Sequence, residues 1–450
     1  MWDVLSFLAL LGGGSLFLRS LRGRPGNPKT SGDQAWRNAL APYGTPVEDA
    51  SSAQARISAG EVSLHIRVEP AQHGPDLVTI FFPEPLELAG VEIRKAVYGR
   101  QVHDPESGDS QFESRFWISG PGRLVSALLD AETRRLMISL GSGRLKISDG
   151  QVRAEMAVEQ APRLLPLLLD IAKRLARPLG VAERLAENVL NDPITEVRLR
   201  NLVLLLREAP RDPKTVATLR VACADRNTWI RLRAAGGLGA EGHAVLAELT
   251  ESEQDAVSEE AVLLLGRNLT LQRTREILAQ AVDQHHHRTA RACLEPISLG
   301  GNAEDVEMLA NVMAVQDGEL AAAAAQALKT LGSPAAEPSL ILALQRKQED
   351  LQVAAAIALG RLGSAAAVLP LKEAAASARR SALRKAAREA VAEIQSRLLG
   401  ATPGQLSLSG TDAGNLSLAQ AEVVSCRWPP IQRAGFLSAA ARKRAERCGS

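Results

Sequence analysis

The sequence predicts an α+β domain followed by an all-α array of helical repeats, with a short hydrophobic helix at the N-terminus. Two observations carry this prediction. Only 3% of the 450 residues are aromatic, and eleven of the fourteen aromatic residues precede residue 118. In the second half the apolar residues are mostly Ala, Leu and Val at helical spacing, which is typical of thin helical layers rather than of a sheet core.

The bulk composition limits what the surface can bind. Lys and Arg number 53 against 51 Asp and Glu, for a net charge of +2, which produces no general attraction to nucleic acid or anionic lipid. The cysteines, Cys223, Cys293, Cys426 and Cys448, show no Cys-x-x-Cys spacing. We therefore expect neither a disulfide framework nor a zinc site, and the cysteine usage fits a reducing compartment.

Residues 1–22 are predicted to form a single transmembrane anchor. The stretch from Trp2 to Leu18 is almost wholly apolar, and a cluster of arginines beginning at Arg19 follows it. A cleavable signal peptide has its basic residues before the apolar run instead. The arginines favour the cytoplasmic membrane with the N-terminus outside and the main body in the cytoplasm. The alternative is a soluble cytoplasmic protein with a buried helix, because seventeen residues span only about 25 Å.

A linker and a small domain follow. Residues 23–35 are rich in Pro, Gly and polar residues, as in a linker. Residues 36–178 are predicted as a small α+β domain, since short alternating apolar runs are typical of strands. The expected strands are 62–68, 77–82, 91–93, 116–118, 145–147 and 152–156, and the expected helices are 124–140 and 164–176. Asp149-Gly150 is the expected turn between the last two strands.

Two motifs of this domain invite a chemical interpretation. Asp109 and Glu113 form a carboxylate pair that can ligate a cation. A turn with a solvated acidic residue is the simpler explanation. Gly120-Pro-Gly122 precedes a helix, but it lacks the Lys and the Gly spacing of a phosphate-binding loop. We interpret both motifs as turns. We predict no catalytic residue, metal ligand or cofactor, and hence a protein that is not an enzyme.

Residues 181–398 repeat themselves about every 31 residues. Seven copies start at 197, 230, 257, 288, 320, 351 and 383. The fifth position is Ala in six copies, which lets neighbouring helices approach closely, and the ninth is Leu or Val in all but one. A second helix follows the first in most copies. Because one helix pair cannot bury its own apolar face, the pairs are expected to stack into an α-solenoid.

The helix ends of the array have predicted signals of their own. Asp192, Asp225 and Asp283 each lie five residues before a repeat start and are expected as N-caps. Glycine at the thirteenth position is expected to end the first helix. These glycines are Gly242, Gly300, Gly332 and Gly363.

The segment from Ile230 to Gly242 reads Ile-Arg-x-x-Ala-x-x-x-Leu-Gly-x-x-Gly and resembles HEAT repeats. Its short period is similar to that of the bacterial repeats also seen in phycobilin lyases. The resemblance implies the fold and leaves the function open, since such arrays serve as scaffolds, adaptors, lyases and occasional nucleic-acid enzymes. Repeat four departs from the pattern, with Arg288 at an aliphatic position and Pro296 inside the first helix.

Charged side chains indicate where a partner docks on the array. Acidic residues cluster around the start of repeat three, and basic residues cluster near the end of the array. Most charge runs are solvated faces, but opposed patches favour a partner of complementary charge. The candidate partner-binding residues are Trp229, Arg231, Glu259, Glu260, Arg380, Arg384, Lys385 and Arg388.

The predicted function is a membrane-tethered, non-enzymatic scaffold or adaptor that binds another protein through the array. One alternative is a bilin-lyase-like or other HEAT-type enzyme, and another is nucleic-acid binding through the basic last repeat. Residues 181–400 hold 26 Lys and Arg against 28 Asp and Glu and a single aromatic residue. This composition argues against pigment and nucleic-acid ligands.

Two further segments are assigned no ligand. His285-His286-His287 is interpreted as a turn between repeats rather than a metal site, because consecutive residues of a helix point in different directions. Residues 400–450 are predicted to be a disordered tail, in which a Gly-x-Leu-Ser-Leu phrase occurs at Gly404 and again at Gly414.

Overall fold

The computed structural model describes residues 31–47, 52–59, 62–82, 90–96, 107–316, 318–397, 406–408 and 416–418 of the chain. These residues form an eight-stranded antiparallel sheet with helices, followed by a run of paired helices. The prediction of an α+β region followed by an all-α region is therefore confirmed. The chain divides into two compact units, of which unit one ends at Ile297 and unit two begins at Ser298.

The sheet and its helices occupy the first part of unit one. The elements are α1 (Ser31–Leu40), β1 (Thr45–Pro46), β2 (Gln54–Ala59), β3 (Val62–Glu69), β4 (Asp76–Phe81), β5 (Glu92–Lys95), α2 (Ser110–Glu113), β6 (Phe116–Ser119), α3 (Gly122–Leu128), α4 (Ala131–Leu140), β7 (Leu145–Ser148), β8 (Gln151–Met156) and α5 (Ala161–Leu175). The strands lie in the order β1-β2-β3-β4-β8-β7-β5-β6, and all neighbouring pairs are antiparallel.

The sheet buries one face and leaves the other partly exposed, because its strands alternate apolar and polar residues. In β3, Leu64 and Ile66 are fully buried, whereas His65 between them is partly exposed. Helices α1 to α5 pack against the buried face and complete one apolar core. Trp36 of α1 lies in this core, and its indole Nε1 donates a hydrogen bond of 2.7 Å to the carboxylate of Asp76.

The start of this region differs from its prediction. The predicted linker, residues 23–35, overlaps α1, which begins at Ser31, and its residues 23–30 lie outside the described residues. The helix forms because Trp36 and Leu40, four residues apart, lie on the same side and are both buried. Strands β1 and β2 and the short α2 were also not predicted.

The predicted helix 124–140 is two helices. Asp130 separates them, since its carboxylate accepts a hydrogen bond of 2.8 Å from the backbone N–H of Thr133 and so caps α4. The predicted turn at Asp149-Gly150 is confirmed. Both residues have positive φ, 54° and 68°, as a two-residue hairpin turn requires.

Paired helices make up the rest of the described chain. In unit one they are α6 (Val181–Asn191), α7 (Thr195–Glu208), α8 (Pro213–Ala222), α9 (Thr228–Leu238), α10 (His243–Leu249), α11 (Asp255–Leu265), α12 (Leu271–Asp283) and α13 (His287–Gly300), which ends in unit two. In unit two they are α14 (Glu304–Val315), α15 (Glu319–Leu331), α16 (Glu337–Leu344), α17 (Glu349–Leu362), α18 (Val368–Ser377) and α19 (Ser381–Arg397). The odd-numbered helices from α7 to α19 are the first helices of the seven predicted repeats.

The predicted repeat positions agree with burial in six repeats. Each predicted start lies one or two residues inside a first helix. The fifth-position alanines outside repeat four are fully buried, namely Ala234, Ala261, Ala324, Ala355 and Ala387. In repeat four the register is one residue later than predicted, because Thr289, Cys293 and Ile297 occupy the buried first, fifth and ninth positions. Pro296 lies within α13, which is assigned as one continuous helix.

The helix-cap predictions are wrong. Asp192 follows α6, and Asp225 precedes Asn227, which is the residue that caps α9. Asp192 and Asp225 instead accept hydrogen bonds from the backbone N–H two residues later, at Ile194 and Asn227. Asp283 is the last residue of α12. These aspartates therefore shape the turns between helices rather than the helix starts.

The glycine prediction holds for the helix end at three of its four positions: Gly332 and Gly363 directly follow α15 and α17, and Gly300 is the last residue of α13. Gly363 has an ordinary negative φ of −67°. Gly332 ends α15 in the left-handed conformation, with φ of 78°. Helices α9 and α11 end instead at Gly239 and Gly266, three residues earlier in the repeat, with positive φ of 59° and 46°. Gly242 has a different reason to be glycine, since a Cβ there would lie 2.0 Å from the carbonyl oxygen of Ala235.

Both predicted chain ends lie mostly outside the described residues. This holds for the whole predicted anchor, residues 1–22. Within the described ranges, no helix combines the length and the apolar character needed to cross a bilayer. In the predicted tail, residues 400–450, the two Leu-Ser-Leu phrases pair as antiparallel strands β9 (Leu406–Leu408) and β10 (Leu416–Leu418). These six residues depart from the predicted disorder.

Candidate binding surfaces

The first two predicted partner-binding residues lie at the start of α9. Trp229 is half-buried and packs against the core cluster that contains Leu232 and Leu249. Its backbone N–H donates to Oδ1 of Asn227 at 3.0 Å. Arg231 is also half-buried, and its Nε has no hydrogen-bond partner among the described residues. Trp229 therefore contributes to the repeat core as well as to the surface.

The two predicted glutamates lie on α11 and pair with first helices on either side. Oε2 of Glu259 lies 3.7 Å from Nε of Arg288 on α13. Oε1 of Glu260 lies 3.3 Å from Nη1 of Arg233 on α9. All four side chains remain partly exposed, so each pair contributes at most about 1 kcal/mol.

Asp255 belongs to the same acidic cluster, but it serves the fold. Its carboxylate accepts hydrogen bonds from the backbone N–H of Thr289 at 2.9 Å, from its hydroxyl at 2.8 Å, and from the backbone N–H of Arg288 at 3.1 Å. Burial alone would raise the pKa of Asp255, but these hydrogen bonds lower it by more. The side chain thus joins α11 to α13 and is not open to a partner.

The first two predicted basic residues in unit two have contacts within the protein. Nε of Arg380 lies 3.2 Å from a carboxylate oxygen of Glu349 at the start of α17. Nη2 of Arg384 donates to the carbonyl oxygen of Ala378 at 3.0 Å. Both arginines remain exposed at the surface.

Lys385 and Arg388 are exposed on α19, where Lys385 lies 3.8 Å from Glu389. They belong to a group that we call the basic cluster: Lys372, Arg379, Arg380, Arg384, Lys385 and Arg388. The first turn of α19 has no acidic residue, whereas α17 begins with Glu349 and Asp350. Because a helix N-terminus carries partial positive charge, cations near it cost a few tenths of a kcal/mol each. Arg384, in the first turn of α19, is therefore present against the electrostatic preference of its helix.

The structure adds a surface that the charge pattern did not predict. The seventh position of the first helices faces solvent, yet it is a large apolar residue in three repeats. Val203 is 48% exposed, Leu263 58% and Ile357 38%. Contiguous exposed apolar side chains mark interaction sites more often than scattered ones do.

In unit one this apolar surface runs across three consecutive first helices. On α9 the surface is formed by Gly236 and Gly237. A Cβ at Gly236 would lie 3.2 Å from Leu264, and one at Gly237 would lie 2.4 Å from Leu206, so leucines of α11 and α7 reach over the glycines. We call this surface the first-helix face: Val203, Leu206, Gly236, Gly237, Leu263 and Leu264. Arg207 and Arg267 are exposed near its edge.

The sequence did contain a signal for this face. Two adjacent glycines, Gly236 and Gly237, lie in the last turn of α9, where residues with side chains would favour the helix more. Their presence indicates a close approach by other groups. The partners, Leu206 and Leu264, come from other repeats and are not evident from spacing alone.

The carboxylate pair of the α+β domain belongs to a structural junction. Nε of Arg134 lies 2.7 Å from Asp109, and its Nη1 lies 3.0 Å from Asp192 at the end of α6. The three side chains are 3%, 9% and 1% exposed. Glu113 accepts hydrogen bonds from the backbone N–H and the hydroxyl of Ser107, at 2.5 and 2.8 Å. These contacts join the sheet domain to the first helices of the array.

No metal site is apparent in the part of the chain that the structure describes, where no three His, Cys, Asp or Glu side chains are grouped to hold an ion. His285 lies in the turn between α12 and α13 with a φ of 59°, and His287 begins α13. Cys293 is fully buried, and burial raises the pKa of its thiol to about 12. This thiol is therefore protonated at neutral pH and unreactive.

Comparisons with known proteins support the repeat. Residues 306–392 match the family of HEAT repeats, so that prediction is confirmed there. No curated protein matches the sequence. A structure of human deoxyhypusine hydroxylase in complex with glycerol is 18% identical and covers 48% of this chain and 96% of its own, with a TM-score of 0.21. An engineered protein is 19% identical and covers 48% of this chain and 98% of its own, with a TM-score of 0.22.

At these identities and scores the two structures carry no argument about function. The predicted similarity to phycobilin lyases is untested and stays a prediction.

Proposed function

We propose that the protein is a scaffold that binds another protein on its HEAT-type helices. The observation that supports this best is the first-helix face. Val203, Leu263 and Leu264 are not needed to fill the core, since each is 40% exposed or more. Transferring such side chains out of water is favourable by about 1.5 to 3 kcal/mol when burial is complete. A partner that covers them supplies that burial.

The surroundings of this face define the chemistry of the partner. An apolar centre with a charged rim is the usual arrangement of a specific protein interface. The exposed cations at the rim are Arg207 and Arg267, and the Arg233–Glu260 pair lies between the first helices α9 and α11. We therefore expect an apolar segment flanked by acidic residues, docked across α7, α9 and α11.

The experiment captures partners with the full chain from cells of its natural source and identifies them by mass spectrometry. The test variant is Val203→Asn with Leu263→Asn, and the matched control is Leu342→Asn, an exposed apolar residue on the second helix α16. A protein retained by the wild type and the control but lost by the test variant supports the proposal. If no protein shows this dependence, the docking proposal is wrong.

The predicted residues of the basic cluster are tested in a separate capture experiment. Lys385→Glu with Arg388→Glu reverses two exposed charges that lie on one helix. If an acidic part of the same partner contacts α19, this variant weakens capture, and the loss is largest at low salt because surface charges are screened at high salt. Unchanged capture at every salt concentration would remove the basic cluster from the docking surface.

The proposal includes a membrane tether, which rests on the sequence alone. Residues 1–22 would hold the scaffold at the cytoplasmic membrane with its main body in the cytoplasm. Fusing a topology reporter after Arg24 tests the orientation, since activity only outside the cell would overturn it. Recovery of the full chain in the soluble fraction after cell breakage would overturn the anchor itself.

A further inference from the structure

The open face of the eight-stranded sheet carries cations that line up across strands. Strand pairing places Arg67 of β3 opposite Thr79 of β4, Thr79 opposite Arg153 of β8, and Arg153 opposite Lys146 of β7. Residues paired in this way lie on the same side of the sheet. Because neighbouring strands are about 4.8 Å apart, Arg67 and Lys146 lie at the ends of a row about 14 Å long.

The row continues on the next strand. Ile93 of β5 pairs with Ile147 of β7 in antiparallel orientation, so Arg94 is opposite Lys146. Arg94 in turn pairs with Trp117 of β6. Four cations therefore follow one line across the open face. We call Arg67, Arg153, Lys146 and Arg94 the cation row.

Aromatic rings lie among these cations. The guanidinium carbon of Arg67 is 5.2 Å from the ring centre of Phe81, and that of Arg94 is 4.2 Å from the ring centre of Trp117. The ring of His65 lies 5.9 Å from that of Phe81. Guanidinium groups over aromatic faces form flat, charged platforms on which a planar ligand can stack.

A pocket of about 360 Å³ opens at the β2–β4 end of this face. It is lined by Arg56, Ser63, His65, Phe81 and Phe82. His65 precedes Arg67 by two residues on β3, so the pocket is next to the first cation of the row. Its volume is at the lower end of the range for small-ligand sites, and its lining combines rings, a hydroxyl and a cation.

Two arginines of the row have donors without acceptors. The Nε atoms of Arg67 and Arg94 are buried and make no hydrogen bond to any described residue, although Glu92 lies 3.5 Å from that of Arg94. The described protein therefore leaves part of the hydrogen-bonding capacity of these two guanidinium groups unused. Burial, and then the charges of Arg67 and Arg56, lower the pKa of His65, in keeping with a positive potential at the pocket.

We propose that this sheet face binds single-stranded nucleic acid, with phosphates along the cation row and one base in the pocket beside His65 and Phe81. An acidic peptide would use the cations alone and would leave the ring-lined pocket unfilled. Bases need aromatic or guanidinium platforms, and single strands can present their bases to an open sheet. This surface is separate from the first-helix face, so the inference does not depend on the proposed scaffold function.

The test measures binding of the full chain to a fluorescein-labelled 12-nucleotide poly(U) or poly(dT) by anisotropy between 50 and 200 mM salt. Four neutralised phosphates predict a slope of log K against log salt of about −3, since each contributes about −0.7 in single strands. Arg67→Gln with Arg153→Gln is expected to weaken binding and to reduce the slope by about 1.4.

A ring variant distinguishes stacking from charge. Phe81→Leu keeps an apolar side chain in the pocket but removes the ring beside His65, and it is expected to weaken binding about tenfold with an unchanged salt slope. The matched control is Arg163→Gln with Lys173→Gln, two exposed cations of α5, the helix that packs on the opposite side of the sheet. Circular dichroism and the melting temperature establish that each variant is folded.

Three results would overturn the proposal. The first is no binding of the wild type at 50 mM salt. The second is an equal loss in the cation-row and α5 variants, which would indicate non-specific attraction. The third is equal or tighter binding of a labelled polyglutamate peptide or of phosphatidylserine vesicles with the same dependence on the cation row, which would assign the face to an acidic protein or to a membrane surface.

Discussion

Two arginines of the domain junction, Arg134 and Arg184, differ from Arg67 of the open sheet face in how many of their hydrogen-bond donors have an acceptor within the protein. Arg134 donates hydrogen bonds from all three nitrogens of its guanidinium, to Asp109, Asp192 and a carbonyl oxygen. Arg184 similarly donates to four backbone carbonyl oxygens. The Nε of Arg67 on the sheet has no such acceptor within the described chain.

This difference separates two uses of the same side chain. A guanidinium whose donors are all taken up by the protein holds elements together and is not available to a ligand. A guanidinium on a partly open face that has a donor without an acceptor in the protein remains able to bind a ligand. Composition treats both kinds alike, which explains why the net charge of +2 did not indicate a basic surface.

The largest effect is expected when the junction is broken. Arg134→Met leaves Asp109 and Asp192 buried without their cation and should cost about 3 to 5 kcal/mol of unfolding free energy. Urea denaturation measures it. The matched variant on the open face, Arg153→Met, should change stability by no more than about 0.5 kcal/mol. Similar losses in the two variants would erase the distinction between the two regions.

The next effect contrasts a glycine in the interior with one on a binding surface. Gly242→Ala places a Cβ 2.0 Å from a backbone oxygen and should cost about 1 to 3 kcal/mol. In Gly237→Ala the close contacts are side-chain ends, Leu206 at 2.4 Å and the buried Leu219 at 3.1 Å, which can shift more easily than backbone, so the loss of stability should be smaller than for Gly242→Ala. Thermal denaturation of both variants checks this, and a costlier Gly237→Ala would contradict it.

A smaller effect on stability is expected when low pH protonates Asp130, at the edge of the junction. Burial alone would raise the pKa of Asp130, but hydrogen bonds from Arg174 and the backbone of Thr133 lower it by more. Since the folded pKa is below the ordinary value of 3.8, this contribution to stability is present above about pH 4 and is lost as pH falls through the folded pKa. Asp130→Asn should flatten the stability profile below pH 4, and parallel profiles would count against it.

On the open face, the pKa of His65 should change when a ligand binds. The pKa of His65 is lowered from 6.5 by burial and by Arg67 and Arg56. Phosphates that neutralise these arginines should raise it again, which an NMR titration with and without the 12-nucleotide poly(U) measures. A His65 pKa that does not move at saturation would place the nucleic acid away from the pocket.

The smallest effect belongs to the basic cluster of unit two. At Lys385→Glu two small terms oppose each other, since the dipole of α19 favours an anion near its N-terminus and Glu389, four residues later, repels it; stability should change by less than about 0.5 kcal/mol at low salt. A change within this range together with a loss of partner capture would show that Lys385 is kept for binding. A larger loss of stability would mean that its contact with Glu389 matters more to the fold.

Much of the fold was accessible from local pattern. Alternation located strand β3, the Asp149-Gly150 turn located the hairpin of β7 and β8, and the 31-residue period located every first helix within two residues. Such signals are local, because the side chains of a strand or helix point to the core at fixed intervals. Repeat four was placed one residue too early. The prediction took Arg288 as its first position, whereas the structure buries Thr289 there.

The binding surfaces were less accessible because they depend on contacts between distant residues. Glu259 and Lys385 could be chosen as charged and exposed, but nothing local separates them from Asp255, which the fold uses internally. The sheet face was missed entirely. Its cations lie on four strands, and strand order places them in one row only after β8 inserts beside β4.

By itself the sequence determined the two regions, the repeat period and the buried positions of the first helices in six repeats, because these follow from periodicities of two and 3.6 residues. Only the tertiary structure decided which charged side chains are paired within the protein and which remain available to a ligand. Arg134 and Asp192 are 58 residues apart, and Arg67 and Arg153 are brought to the same face through Thr79. Whether a charged side chain is buried or paired depends on residues that are distant in sequence, and the local sequence does not indicate which residues these are.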